Sequence, residues 1–123
     1  MIYCMYDATS GLYKFGMAHT RKAARKDRMR YARKQIAELL GIKPKITLVA
    51  WAPWHYKEEH NIHRYLHAAW RLGEWFEDSH ETQHVIQLLK DDRYIAWQKL
   101  FYRLDPPPPD FSSIRPIIPK TTV

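Results

Sequence analysis

Two adjacent acids and three histidines stand within residues 58–67, the first part of the segment EEHNIHRYLHAAWRLGEWF, which covers residues 58–76. These residue types suit either a metal site or a general acid and base. His63 and His67 have the i, i+4 spacing with which two imidazoles on one helix face can share zinc. The HExxH metalloprotease motif is absent, because no glutamate lies between them. Since helical histidines are usually packed or solvated, the acids are the better candidates.

Glu59 is distinguished from Glu58 by its place on the expected helix, which the pattern predicts from about residue 56 to residue 72, with Gly73 as its stop. The apolar stripe of this helix consists of Ile62, Leu66, Ala69 and Trp70. Glu59 lies three residues before Ile62, on the same side, whereas Glu58 is expected to point into solvent. A carboxylate on the core-facing side needs a partner, either an arginine or, in a functional site, a metal ion or a proton.

Tyrosines and a lysine cluster in an expected hairpin, MIYCMYDATSGLYKFGMAH. Tyrosines in strands ordinarily serve packing. Next to Lys14 and the arginines that follow, however, positive charge would lower the pKa of a phenol such as Tyr3. A phenolate of this kind could deprotonate water at a phosphodiester.

A dense run of positive charge follows the hairpin, with eight Lys and Arg and one acid between residues 21 and 34. Most charge runs are solvated helix faces, but this density favours a polyanion, bound by release of its counterions. The residues expected to bind nucleic acid are Arg21, Lys22, Lys26, Arg30, Arg33 and Lys34, and Arg25 and Arg28 belong to the same run.

The expected elements follow the order β-β-α-β-α, then a helix and a tail. Thr20 should cap a helix that ends at Gly41, and residues 45–54 should form a buried strand. A further helix should begin at Ser79 or Glu81 and be interrupted by the two acids at 91–92. We therefore expect an α+β fold with a small three-stranded antiparallel sheet flanked by helices. Trp51, Trp54 and Trp70 are assigned to the core, and Glu74 to a cap or an arginine pair.

The chain of 123 residues fits one domain, which we place at residues 1–104, followed by an extended Pro-rich tail at 105–123. The tail either wraps the domain through Phe111, Ile114, Ile117 and Ile118, binds a protein partner, or is disordered. Cys4 is the only cysteine, so an intramolecular disulfide is excluded. Because we also find no apolar run that could span a membrane and no signal peptide, we expect a cytoplasmic protein.

Three segments of the chain, in their order, resemble the GIY-YIG nuclease superfamily. They are the hairpin IYCMYDATSGLYKFG, the basic helix and the segment E…IHRYLHAAWRLGEWF. The likeness covers residues 1–76 and is greatest to a phage and bacterial subgroup with KIG in the second motif and a later Gly-Glu-Trp-Phe. The sequence departs from the pattern in lacking the glycine before the first motif, in its longer basic turn, and in having no clear match for a late asparagine.

The resemblance implies catalytic roles for Tyr3 as general base, for Lys14 in the place of the second motif's tyrosine, and for Arg25 or Arg28 as the phosphate-stabilising arginine. It implies further catalytic roles for Glu59, which would bind the metal, and for His63, which matches the histidine of a Leu-His pair with Ile62 in place of the leucine. Gly16 matches the second motif's glycine.

The resemblance also implies a magnesium- or manganese-dependent endonuclease that hydrolyses phosphodiester bonds, with double-stranded DNA favoured over RNA as the substrate. The protein would then act in the cytoplasm, that of a bacterial host if a phage encodes it. The alternatives are a nucleic-acid-binding module that has lost cleavage and a protein-interaction factor that uses the tail. The sequence leaves open whether the protein forms a homodimer.

Overall fold

The computed structural model describes residues 1–111. Along the chain, the elements are β1 (Ile2–Asp7), β2 (Leu12–Met17), α1 (Arg21–Ala23), a π-helical turn (Ala24–Arg28), α2 (Met29–Leu40), β3 (Ile46–Ala52), α3 (Lys57–Tyr65), a 3-10 turn (His67–Ala69), β4 (Trp70–Leu72), β5 (Trp75–Phe76), α4 (His80–Lys90) and α5 (Tyr94–Tyr102). The expected α+β class is confirmed.

In the part of the chain that the structure describes, the sheet has five antiparallel strands in the order β3-β1-β2-β5-β4. The prediction of three strands was wrong, because it missed β4 and β5. These two strands are short, and they extend the sheet beyond β2 by pairing Lys14 with Trp75 and Tyr13 with Phe76. Trp75 and Phe76 are fully buried, so the pairing places two large apolar side chains in the core.

Helix α3 is shorter than predicted, since it ends at Tyr65 and does not continue to Leu72. Gly73, which we expected to stop this helix, instead adopts a positive φ of 49° in the turn between β4 and β5. The indole N–H of Trp70 donates to the carbonyl oxygen of Gly73 at 2.9 Å and so closes the turn. Apolar residues at helical spacing were misread here, a known ambiguity for short apolar runs.

Other local predictions are confirmed by the structure. Thr20 caps α1, accepting the backbone N–H of Ala23 at 3.0 Å, and Gly41 ends α2 with a φ of 65°. Ser79 caps α4 in the same way, and Asp91 and Asp92 separate α4 from α5. The strand predicted over residues 45–54 exists as β3, but it lies at the edge of the sheet and is only partly buried.

Alternate residues of the hairpin face two different cores, one on each side of the sheet. Tyr3 and Met5 belong to the core beneath α2, together with Ala32, Ile36 and Trp75. On the other side, Ile2, Cys4 and Phe15 pack with apolar residues of α3, α4 and α5. Because both faces are covered, β1 is buried along most of its length.

The first residues of the expected tail lie against α3 and the strand that follows it. Arg64 donates through Nη2 to the carbonyl oxygen of Pro108 at 2.7 Å, and His60 Nε2 lies 3.4 Å from a carboxylate oxygen of Asp110. The rings of Trp70 and Phe111 are 5.7 Å apart. The expected contacts of Ile114, Ile117 and Ile118 lie outside the described residues.

No helix within residues 1–111 combines the length and the apolar character that crossing a bilayer requires.

Candidate active site

Tyr3 is held against the backbone of the neighbouring strand. Its side chain is 1% exposed, and its partner in the β1–β2 ladder is Gly16. A Cβ atom built on Gly16 would press against the Tyr3 hydroxyl and lie 2.5 Å from Cζ of the ring, closer than atoms can pack. Only glycine therefore permits this position of the ring.

The phenol of Tyr3 is not activated in the way that the sequence suggested. Burial raises its pKa well above the ordinary value, the carboxylates of Glu74 and Glu59 raise the pKa further, and Arg28 only partly opposes them. The expectation that positive neighbours would dominate was wrong, because desolvation penalises the phenolate more than one nearby arginine can offset. Tyr3 is thus a neutral hydroxyl at neutral pH.

Lys14 lies on the same face of the sheet as Tyr3 and is 2% exposed. Its ammonium group is 3.6 Å from a carboxylate oxygen of Glu74 and 5.2 Å from the ring centre of the exposed Tyr31. Burial lowers the pKa of Lys14, while the carboxylates of Glu74 and Glu59 act to raise it. Glu74 therefore helps to keep the buried ammonium charged.

Glu74 was assigned from the sequence to a cap or an arginine pair, but its ion-pair partner is Lys14. The pairing of β2 with β5 places Trp75 opposite Lys14 and thereby brings the adjacent Glu74 to the site. Because β5 was not predicted from the sequence, this contact was not expected. A lysine in the middle of a largely apolar strand was the available signal, because a buried ammonium needs an acidic partner.

Arg25 and Arg28 both lie in the π-helical turn and are exposed. The charge of Arg28 is among the main influences on the pKa of both Tyr3 and Lys14. Arg28 therefore lies close enough to the cluster to act on both groups. π-Helical turns are rare and occur frequently at functional sites.

Glu59 is partly exposed in the first turn of α3, and its charge influences both Tyr3 and Lys14. Glu58, predicted to be solvated, is fully buried instead. Its carboxylate accepts hydrogen bonds from Asn61 at 2.9 Å, Tyr94 at 2.6 Å and Trp97 at 3.0 Å. The prediction failed because α5 packs against this side of α3 and supplies two of the donors. The two adjacent acids thus face different surroundings.

His63 lies in the core and holds the strand that carries Lys14. Its side chain is 1% exposed, and Nε2 is 2.7 Å from the carbonyl oxygen of Phe15, so Nε2 is the protonated nitrogen that donates. Phe15 stands between Lys14 and Gly16, which makes His63 a positioning residue for both. His67 lies beyond the end of α3, with Nδ1 at 3.0 Å from the carbonyl oxygen of Arg64. The geometry gives no support to a zinc site shared by the two histidines.

The basic residues of α1, the π-helical turn and α2 form an exposed surface next to this cluster, here called the basic band. Its members, all exposed, are Arg21, Lys22, Arg25, Lys26, Arg28, Arg30, Arg33 and Lys34. Within residues 1–111, the salt bridge of Arg30 with Asp27 at 3.1 Å is the only ion pair in the band. The band consequently carries a large uncompensated positive charge.

The donor set suits a hard cation held by few protein ligands. No group of three or more His, Cys, Asp or Glu side chains that could hold a metal ion occurs in the described part of the chain. Mg²⁺ needs no such cage, since it commonly binds one or two carboxylates, with water and phosphate oxygens completing its shell. Glu59, partly exposed in the cluster, is the residue that fits this role.

The charges of Arg28, Glu59 and Glu74 all act on the pKa of both Tyr3 and Lys14, which groups the five side chains at one site. A buried hydroxyl, two cations and two carboxylates can together bind a phosphate and orient a water molecule. Comparison of the chain with protein-family models, with curated proteins and with solved structures gives no significant match.

Proposed function

We propose that the protein is a metal-dependent endonuclease that hydrolyses phosphodiester bonds in DNA. The proposal is supported by the shared sheet face of Tyr3 and Lys14, by the influence of Arg28 and Glu59 on the pKa of both, and by the basic band beside them. The band supplies affinity for a polyanion, and the cluster supplies groups that act on a phosphate within it.

The side chains of the site divide into those that hold the phosphate and those that hold the water. Arg28 and Lys14 offset the negative charge that grows on the phosphoryl oxygens during displacement. The Tyr3 hydroxyl, fixed over Gly16, orients the attacking water. The water loses its proton to solvent as its oxygen bonds to phosphorus and the bond from phosphorus to the leaving oxygen breaks. A divalent cation bound at Glu59 would polarise the phosphoryl group and stabilise the leaving oxygen.

Glu74 and His63 support the reacting groups without touching the phosphate. Glu74 lies beside Lys14 and favours its charged form despite burial. His63 fixes the backbone between Lys14 and Gly16 through its bond to Phe15. Both contacts limit the freedom of β2, and a positioned cation stabilises a transition state better than a mobile one.

Cleavage of supercoiled plasmid DNA and of matched RNA, with Mg²⁺ or with EDTA, tests the proposal. The wild-type protein should cut DNA only with the metal, and Glu59→Gln should reduce cleavage to background while DNA affinity is kept. Glu81→Gln, which changes an exposed carboxylate on α4, is the matched control and should cleave normally. Undiminished cleavage by Glu59→Gln would show that Glu59 does not bind the metal.

A DNA-binding module without cleavage is the second candidate, and the raised pKa of Tyr3 favours it. A phenol that stays protonated is a poor base. Tight, salt-dependent DNA binding together with no cleavage under any metal would establish this second function.

A further inference from the structure

Trp51 is an aromatic residue on the surface next to the candidate active site. It was expected in the core, yet 37% of its surface is exposed, because β3 is an edge strand. Its partner in the β1–β3 ladder is Tyr3. Directly paired residues of antiparallel strands have Cβ atoms only about 4.5–5.5 Å apart and point to the same face, so the indole is a lateral neighbour of Tyr3.

Arg21, the first residue of α1, lies over the ring of Trp51. The guanidinium carbon is 4.5 Å from the centre of the indole, a cation–π contact. The contact restrains the ring and places a positive charge over one of its faces. An exposed tryptophan held by an arginine at the start of the basic band lies among positive charges. These surroundings are unsuited to an apolar protein partner and well suited to a nucleotide.

We propose that Trp51 and Arg21 form a stacking platform for an unpaired base next to the phosphate at Tyr3. The base takes the place of the guanidinium over the indole, and Arg21 turns to contact the adjoining phosphate. Bases within a duplex keep their faces covered, so a platform of this kind selects DNA in which single-stranded nucleotides adjoin a duplex. The inference rests on the proposed function only in taking nucleic acid as the ligand of the site.

Binding of fluorescein-labelled DNA to the full chain, followed by anisotropy in EDTA, measures the platform without cleavage. The two probes are a blunt duplex and the same duplex with a short single-stranded extension. The wild type should prefer the extended probe by on the order of tenfold to a hundredfold, the range expected for stacking of one base. Trp51→Leu should abolish this preference and leave blunt-duplex affinity unchanged, and Trp51→Phe should retain most of it.

Two further variants separate stacking from general surface effects. Arg21→Gln should weaken binding of the extended probe more than that of the blunt duplex. Tyr102→Leu, which removes another exposed ring on α5, should change neither affinity. Circular dichroism melting of each variant verifies that it is folded.

The outcomes distinguish this inference from the proposed function. If Trp51→Leu keeps the preference, or weakens both probes equally, the platform is refuted while the nuclease proposal stands. If the preference depends on Trp51 but no metal supports cleavage, the platform stands and the nuclease proposal fails. Absence of DNA binding by the wild type overturns both.

Discussion

The buried carboxylate of Glu58 should be worth a large part of the stability of this domain. It accepts three hydrogen bonds and joins α3 to α5 through Tyr94 and Trp97. Burial and the Glu58 carboxylate raise the pKa of Tyr94 to about 12, so the tyrosine remains a hydroxyl donor throughout the usual range of assays.

Two substitutions of Glu58 should destabilise the fold to different extents. Glu58→Leu leaves the indole N–H of Trp97 and one amide proton of Asn61 buried without an acceptor. Each buried unsatisfied group costs about 1–3 kcal/mol, so the free energy of unfolding should fall by about 2–6 kcal/mol. Glu58→Gln keeps one oxygen for these donors, and the Tyr94 hydroxyl can turn to accept from the new amide. Its cost should be about 1–2 kcal/mol, the loss of charge assistance.

Urea unfolding followed by tryptophan fluorescence gives the free energies of unfolding, with Glu59→Gln as the neighbouring control. The expected order of stability is wild type and Glu59→Gln, then Glu58→Gln, then Glu58→Leu. Equal stability of Glu58→Leu and Glu58→Gln would show that the three donors do not depend on this carboxylate.

Three further predictions concern the site and the basic band. Gly16→Ala should destabilise the fold by about 1–3 kcal/mol through overpacking against Tyr3, and urea unfolding should show a smaller cost in a Tyr3→Leu background. Burial lowers the pKa of Lys14, so cleavage that needs its charge should begin to decline, as the pH rises, before the ordinary lysine pKa of 10.5 is reached. Lys14→Arg should move this decline to higher pH, and Lys14→Gln should not show it. A wild-type activity profile that stays flat up to pH 10.5 would contradict the assignment. Lys26→Gln or Arg33→Gln should each reduce the slope of log affinity against log salt by about 1, whereas Lys99→Gln on α5 should leave the slope unchanged.

Local signals in the sequence predicted the elements whose ends are determined by short-range contacts. The hairpin, the Thr20 and Ser79 caps and the Gly41 stop all involve residues a few positions apart. Such contacts depend on side-chain chemistry that single residues reveal. The grouping of Tyr3, Lys14 and Glu59 was an implication of the resemblance and had no local signal of its own. In the structure, the charge of Glu59 acts on the pKa of both Tyr3 and Lys14.

Features that depend on distant parts of the chain were not predictable in the same way. Glu58 is buried because α5 covers it, and Trp51 is exposed on β3, an edge strand that has no partner on its outer side within residues 1–111. Neither fact is encoded in the spacing of neighbouring residues. The direction of the Tyr3 pKa shift was also missed, because burial depends on the whole fold whereas the basic charges are visible in the sequence.

The π-helical turn at Ala24–Arg28 has a consequence for how this chain is aligned with other proteins. Such a turn takes up an inserted residue in one place, so that Ala32 and Ile36 of α2 keep their positions against the sheet. If this chain is aligned without gaps to a helix that lacks the turn, the residues on one side of the turn are therefore matched one position away from their true equivalents. Counting from the hairpin and counting back from α2 would therefore place an equivalent position one residue apart within the run that holds Arg25 and Arg28.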